Sequence, residues 1–416
     1  MQISKIALAA VAVVAFAGQA QAATAYLTGA SATSVNYVKA LKTLCGGTFT
    51  VYKETTGNTS LGNFFTAKCS QAFTGISGID AVAFNVSGGS YSAVQNSTLG
   101  TTGVKFVQAL SGTPVAGSGA LAGINVVAGI TATGAIKSEG GFMDIEPAAF
   151  DAALLDPFGG VEGLADKVAG ASFYQAFGVA VSRDLYAALQ TKQGLTAAGC
   201  TADTLTPACQ PTVSRAQYAS IASISTNSAK LDINSLFGVP AGKLTLCRRV
   251  STSGTQAASN QFFLNNLTGN GPNTGAEVPA DAATYGPGVL ATFEVKEGSG
   301  TSNARDCLNA TGYGIGVLSL ENVPAASAGY RFVKLNRVEG FDAANSSQAT
   351  GINGEYEFAY QSFKFTAAGA GTSAVIDAID AELTVIGATN GLWGAGESQF
   401  GRNGYNANVI TTQSAA

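Results

Sequence analysis

One pattern recurs along this chain of 416 residues: an apolar run, a short loop of small residues, and then a helical pattern. Its fullest example is residues 243–267, where Leu244 and Leu246 predict a strand and Phe262 and Leu264 belong to a predicted helix. Strands that alternate with helices favour an α/β fold. Because ligands of open α/β sheets bind beyond the carboxyl ends of the strands, the loops between strand and helix are the candidate binding segments.

The loop inside residues 243–267 has the chemistry of an anion site. Ser253 can cap the following helix, and Gly254 lets another group approach the backbone closely. The first N–H groups of the helix are free, and Arg249 can add two parallel charged hydrogen bonds. The alternative interpretation is a capped helix after an edge strand, with arginines on the surface.

Three earlier loops follow the same pattern at residues 28–34, 86–90 and 140–144. Each offers polar groups beside a strand end, namely the hydroxyls of Thr33 and Ser34, the hydroxyl of Ser87, and the carboxylate of Asp144. Ordinary caps and turn residues are the alternative for each loop taken alone. Between the first two loops, residues 58–70 predict a helix.

Composition excludes several classes of function. The formal net charge is −4 and no basic stripe is present, so nucleic acid is not an expected partner. The sequence contains no histidine, which excludes a Ser-His-Asp or Cys-His nucleophile and any histidine metal site. We therefore predict that the chain is not an enzyme and holds no metal or cofactor.

Residues 1–22 have the features of a secretory signal peptide. Lys5 gives a positive start, residues 6–17 are a short apolar core, and Ala20 and Ala22 form a small-x-small cleavage site. There is no cysteine near that site to carry a lipid, and no later apolar run reaches the ~18 residues of a membrane span. We expect a periplasmic or secreted protein with two domains.

All six cysteines follow the signal peptide, so disulfides are expected in an oxidising compartment. Although six cysteines allow fifteen pairings, the pair that brackets a short Pro/Thr-rich excursion is the easiest to assign. The predicted pairs are Cys200–Cys209, Cys45–Cys69 and Cys247–Cys307.

The four loops, in this order, resemble those of the phosphate-binding proteins of bacterial ABC transporters. LTGASAT (27–33) is similar to the Thr-Gly-Ala-Gly-Ala-Thr start of that family, and residues 143–147 are similar to its Ser-Asp-x-Pro loop. The most specific likeness is RRVSTSGT (248–255), against Arg-x-Asp-x-Ser-Gly-Thr in the family. The resemblance implies a periplasmic-binding-protein fold of type 2, with two α/β domains and a ligand cleft between them.

The resemblance also implies domain boundaries and ligand contacts. Domain I would comprise residues 23–178 and 328–416, and domain II residues 179–327, with a disulfide-bracketed insertion near 200–209. Ser251 stands where the family has an aspartate that pairs with the arginine, so Arg249 would be freer here. The implied ligand contacts are Thr33, Ser34, Ser87 and Asp144 from one side, and Arg249, Ser253, Gly254 and Thr255 from the other.

The function implied by this resemblance is capture of phosphate or a related oxyanion for uptake through an ABC permease. Asp144 would accept the proton of a protonated phosphate and so reject sulfate, which has none. The rival, which the extra length and the composition favour, is an exported surface or structural protein that keeps the fold without a transport role. An exported phosphatase is a third hypothesis.

Overall fold

The computed structural model describes residues 23–394 apart from 100–102, 151, 161, 165–166, 223–232, 240–241, 265–292, 341–347, 368–372 and 386–391, so the predicted signal peptide lies outside the described residues. The strands are β1 (Ala23–Gly29), β2 (Phe49–Lys53), β3 (Phe64–Cys69), β4 (Ile79–Asn85), β5 (Val104–Phe106), β6 (Val115–Ala116), β7 (Asn125–Val127), β8 (Thr133–Ile136), β9 (Gly140–Met143), β10 (Val168–Ser182), β11 (Thr212–Val213), β12 (Leu244–Arg249), β13 (Phe293–Gly298), β14 (Tyr313–Ser319), β15 (Tyr330–Phe332), β16 (Lys334–Leu335), β17 (Ala359–Thr366) and β18 (Leu392–Gly394).

Helices occupy most of the connections between these strands, as the α/β pattern predicts. They are α1 (Ser34–Leu44), α2 (Tyr91–Val94), α3 (Ala152–Leu155), α4 (Arg183–Lys192), α5 (Arg215–Ala222), α6 (Ile233–Phe237), α7 (Gly254–Leu264), α8 (Thr301–Ala310), α9 (Ala349–Ile352) and α10 (Ser373–Val385).

A single large mixed sheet runs through the molecule in the order β13-β12-β14-β10-β17-β9-β1-β4-β3-β2-β7-β6. We call β1–β9 with α1 and α10 the first lobe, and β12–β14 with α4–α8 the second lobe. The long strand β10 belongs to both, because residues 168–176 pair with β17 and residues 177–181 pair with β14. The sheet is therefore continuous across the middle of the molecule.

Two hydrophobic cores fill the lobes. The smaller packs α1 and α10 on β1–β4, with Leu27, Phe65 and Phe84 almost fully buried. The larger begins at α2 and β9, crosses β10 and β17, and ends under α7 and β12. The two lobes therefore share buried apolar surface.

The α/β class is confirmed, and the two lobes on one continuous sheet match the predicted two-domain architecture. The predicted boundary between residues 178 and 179 lies close to the point where β10 changes partners, and the domain boundaries themselves stay a prediction. All three predicted disulfides are confirmed, with Cα–Cα distances of 5.6 Å for Cys45–Cys69, 5.3 Å for Cys200–Cys209 and 5.9 Å for Cys247–Cys307.

The helix predicted for residues 58–70 is wrong. Residues 64–69 form β3, which pairs antiparallel with both β2 and β4. Phe65, Thr66 and Ala67 are all buried, so this strand is covered on both faces and lacks the alternation that marks a half-buried strand. A short apolar run of that kind does not distinguish strand from helix.

Within the described ranges, no helix has both the length and the apolar character needed to cross a membrane.

Gly29, at the end of β1, offers a test of how the strand ends are packed. Its φ is +141°, and a Cβ there would lie 2.1 Å from the carbonyl oxygen of Phe142 on β9. We expect Gly29→Ala to lower the free energy of unfolding by about 3 kcal/mol or more, because strain and a backbone clash add. Urea denaturation measures the change.

The matched control is Gly75→Ala. Gly75 has φ of +78°, and a Cβ added to it would meet no atom within 4 Å, so only the conformational cost of about 1 kcal/mol applies. Equal losses for the two variants would contradict the proposed packing of β1 against β9.

Candidate functional site

The four predicted loops meet at one place in the fold. β1 is parallel to β4 on one side and to β9 on the other, so the segments that follow these three strands leave the same edge of the sheet. Residues 140–143, predicted as part of a loop, form β9, and the loop begins at Asp144. The loop at 248–255 follows β12 of the second lobe and faces these segments. The main chain of this loop contacts the start of α2, directly after the loop at 86–90, because the N–H of Tyr91 donates to the carbonyl of Thr252 at 3.1 Å.

Gly254, the first residue of α7, lies at the centre of this contact. A Cβ there would be 2.3 Å from Oγ of Ser90 and 2.7 Å from Cβ of Asp144, so only glycine fits. Ser90 in turn accepts a hydrogen bond from the backbone N–H of Asp144 at 2.8 Å. The N-terminus of an 11-residue helix, whose first N–H groups have no carbonyl within the helix, is thereby held against a carboxylate and a hydroxyl.

Arg249 ends β12 and is 1% exposed. Its guanidinium donates three hydrogen bonds: Nε to the carbonyl of Gly298 at 3.3 Å, Nη2 to that of Ser299 at 2.9 Å, and Nη1 to the hydroxyl of Thr301 at 2.9 Å. A guanidinium has five N–H donors, so two remain. Arg249 also forms no salt bridge with any carboxylate of the described residues.

Arg331 shows how a purely structural buried arginine is satisfied in the same chain. It too is 1% exposed, but its guanidinium donates five hydrogen bonds, four of them to carbonyls and one to Asp203. The ion pair with Asp203 also balances its charge. Arg249 differs from Arg331 in both respects, because two of its N–H groups have no acceptor among the described residues and its charge is met by Asp144 without a salt bridge.

Asp144 is the negative group of the site. Burial raises its pKa to about 6, and the charge of Arg249 and hydrogen bonds from Ser90 and Thr33 oppose that rise. Burial likewise lowers the pKa of Arg249 to about 10, with Asp144 acting in the opposite direction. The Oδ1 atom of Asp144 is buried without a hydrogen-bond partner.

A second buried oxygen lacks a partner nearby. The hydroxyl of Thr255, in the first turn of α7, has no hydrogen-bond partner among the described residues, although Thr255 is only 2% exposed. Buried polar atoms are normally paired, and a group left unpaired costs about 1–3 kcal/mol. An unpaired donor, an unpaired acceptor and two unused guanidinium hydrogens are the complement of a small, protonated oxyanion.

The structure gathers most of the sequence-predicted residues around this point. Thr33, Asp144, Arg249, Gly254 and Thr255 are brought together, and Ser253 occupies the N-cap position, where its carbonyl accepts from Ala257 at 3.0 Å. The grouping of Thr33 with Asp144 follows from the parallel pairing of β1 with β9, whereas Arg249, Gly254 and Thr255 reach them from the second lobe. Whether they bind a ligand stays a prediction.

Two predicted residues lie differently. Ser34 turns its hydroxyl back to the carbonyl of Ser31 at 2.9 Å, and both serines line a small cavity between the lobes. Ser87 donates to Oδ1 of Asn85 at 2.6 Å and is absent from the cluster, in which Ser90 takes the place expected for it. The loop at 86–90 contains both serines, and the motif left Ser87 open to a displacement of one or two positions, whereas Ser90 lies three positions later.

Sequence reasoning missed Thr301 and Ser31. Thr301 begins α8 and bridges the lobes, because its Oγ1 accepts from Arg249 and lies 3.1 Å from Oγ of Ser31 in the first lobe. The available signal was the Gly-Ser-Gly stretch before Thr301, a strand–loop–helix boundary of the same kind as the other four. Ser251, the departure from the family motif, is exposed on its loop.

No group of three or more metal-ligating side chains occurs in the part of the chain that the structure describes.

Comparison with known proteins gives similarity at the level of solved structures. No protein-family model matches the sequence, and no curated protein matches it. A Clostridium perfringens structure, assigned as a phosphate ABC transporter substrate-binding protein with bound phosphate, covers 89% of this chain and 99% of its own, at 13% identity and a TM-score of 0.48.

Two further solved structures also cover most of this chain at low sequence identity. PstS from Borrelia burgdorferi is 10% identical with a TM-score of 0.35, covering 89% of this chain and 98% of its own. A phosphate-binding protein from Stenotrophomonas maltophilia is 11% identical with a TM-score of 0.38, covering 83% and 79% respectively. With TM-scores below 0.5, none of these structures bears on which residues bind a ligand here.

The raised pKa of Asp144 predicts a pH-dependent stability. The carboxyl group of Asp144 binds its proton more tightly in the folded protein, with a pKa of about 6, than in the unfolded chain, where its pKa is 3.8. Its contribution to stability is therefore fully present below pH ~4 and is lost as pH rises through about 6. Asp144→Asn removes this loss, so the ligand-free variant should gain on the order of 3 kcal/mol over wild type between pH 4 and 7.

Urea denaturation across that pH range measures the difference. Asp156→Asn, at an exposed carboxylate, is the control and should follow the wild-type profile. Parallel profiles for Asp144→Asn and wild type would show that Asp144 is not held as described.

Proposed function

We propose that this chain is an exported solute-binding protein that captures phosphate, or a related oxyanion, in the cleft between its lobes for ABC-type uptake. The observation that carries the proposal is the incomplete satisfaction of Arg249. A buried guanidinium with two unused donors and no paired carboxylate among the described residues is costly unless an anion binds it.

The surrounding groups favour a tetrahedral oxyanion that carries a proton. Thr255 and the first N–H groups of α7 can donate to its oxygens, and the positive end of the helix dipole favours its charge. The unpaired Oδ1 of Asp144 can accept the remaining proton of monohydrogen phosphate. Each group then has a partner, and Arg249 together with the N-terminus of α7 offsets part of the negative charge of the anion.

The energetics of such a site are sufficient for physiological capture. Micromolar affinity corresponds to about −8 kcal/mol. Hydrogen bonds to charged groups contribute ~1.5–3 kcal/mol each, so four or five of them offset the cost of immobilising and dehydrating the anion.

The first test is thermal melting with phosphate, arsenate and sulfate. Phosphate at ~100 times its dissociation constant should stabilise the wild-type protein by about 2.7 kcal/mol. Arg249→Gln should abolish this stabilisation, because the variant loses the charge and the free donors. Arg331→Gln is the matched control: it also removes a buried arginine and should lower the melting temperature, yet keep the response to phosphate.

A wild-type protein that no oxyanion stabilises would overturn the proposal and favour the exported structural protein. Equal responses of the Arg249 and Arg331 variants would place the anion elsewhere.

Asp144 provides a second test, on selectivity. An ionised carboxylate facing an unprotonated oxygen of sulfate leaves two acceptors opposed, whereas the amide of Asp144→Asn can donate to that oxygen. The variant should lower the ratio of phosphate to sulfate affinity by at least about tenfold. Competition of unlabelled sulfate against radiolabelled phosphate measures that ratio, and an unchanged ratio would remove Asp144 from the anion's contacts.

A further inference from the structure

The disulfide between Cys247 and Cys307 joins the two elements that hold Arg249. Cys247 lies on β12, two residues before Arg249, and Cys307 lies on α8, the helix that begins at Thr301. The bond links positions 60 residues apart in sequence. It is therefore a long-range crosslink between the strand that ends in Arg249 and the helix whose first residue accepts from it.

The position of α8 determines the geometry around Arg249. Thr301 Oγ1 accepts from Nη1 of Arg249 at 2.9 Å and lies 3.1 Å from Oγ of Ser31, across the cleft. A shift of α8 by about an ångström would break both contacts and leave the guanidinium held by the carbonyls of Gly298 and Ser299 alone. Nη1 of Arg249 would then lose the acceptor that fixes its position.

A small apolar cluster packs α8 on the sheet. Ala304 and Leu308 belong to it with Ala180, Leu318 and Tyr330, and Cys247 itself is a member. Both larger cores lie elsewhere in the fold. The crosslink therefore adds a covalent bond to the packing that holds α8 on β12.

The other two disulfides lie away from these contacts. Cys45 follows the carboxyl end of α1, at the opposite end of the helix from Thr33, and bonds Cys69 on β3. Cys200–Cys209 closes a loop with a sequence separation of nine. Neither pair shares an element with Arg249 or Thr301, so both are internal controls.

We propose that the Cys247–Cys307 disulfide positions Thr301, and through it Arg249, so that high anion affinity requires this one bond and neither of the other two. The proposal rests on the oxyanion-binding function proposed above and adds a determinant of affinity to that site. Its physical basis is preorganisation: a guanidinium already held in its binding direction loses less entropy when the anion arrives.

The experiment compares three double variants, Cys247→Ser/Cys307→Ser, Cys45→Ser/Cys69→Ser and Cys200→Ser/Cys209→Ser, by calorimetric titration with inorganic phosphate. All three should melt at lower temperature than wild type, since each loses a crosslink. Only Cys247→Ser/Cys307→Ser should bind phosphate more weakly, by about tenfold. An unchanged dissociation constant in that variant, or equal losses in all three, would overturn the proposal.

Thr301→Val keeps the proposal testable if the double variant does not fold. This variant retains the disulfide and the side-chain shape but loses Oγ1, and it should weaken phosphate binding to a similar extent. In combination with Cys247→Ser/Cys307→Ser the losses should be less than additive, because both changes act through one contact. Full affinity in Thr301→Val, or fully additive losses, would show that the disulfide does not act through Thr301.

The outcomes also separate this proposal from the proposed function. If the wild-type protein binds no phosphate, both the proposed function and the proposed role of the disulfide are wrong. If the wild-type protein and Cys247→Ser/Cys307→Ser bind phosphate with the same dissociation constant, only the proposed role of the disulfide is wrong.

Discussion

The cleft depends on the burial of one guanidinium. Arg249 is held by two backbone carbonyls and one hydroxyl, which fix its position and leave two of its N–H groups without an acceptor among the described residues. The charge of Asp144 acts on it without forming a salt bridge, and burial raises the pKa of Asp144 to about 6. Gly254 admits the end of a helix between the lobes.

Much of the fold could be predicted from the sequence because its information is local. Strand–loop–helix patterns, glycines at close approaches and an even set of cysteines gave the α/β class and the three disulfides. The helix prediction for residues 58–70 was wrong because β3 is buried on both faces, so its apolar residues do not alternate with polar ones in the way that identifies a strand. That strand is specified by its neighbours in the sheet and not by its own residues.

The site was predictable in part for the same reason. Loops that follow parallel strands must converge, which placed Thr33 and Asp144 together. Arg249 ends β12, which runs antiparallel to those strands, so its approach depends on how the two lobes pack. Thr301 follows β13, a parallel neighbour of β12, so the same rule applied to β12 and β13 could have placed it beside Arg249. Ser90, and not Ser87, contacts Asp144 because of the conformation of the glycine-containing loop at 86–90. Glycine allows several backbone conformations, so the sequence did not determine which serine would lie in the site.

The shared core has a consequence for the timing of the proposed anion capture. Because the larger cluster of apolar side chains runs under both lobes, and β10 is a strand of both, separating the lobes exposes surface that water disfavours. An anion that binds as proposed would therefore spend little of its binding energy on bringing the lobes together. The same feature would slow its exchange wherever entry or exit requires the lobes to separate. For the proposed function, the shared core favours long residence over fast uptake.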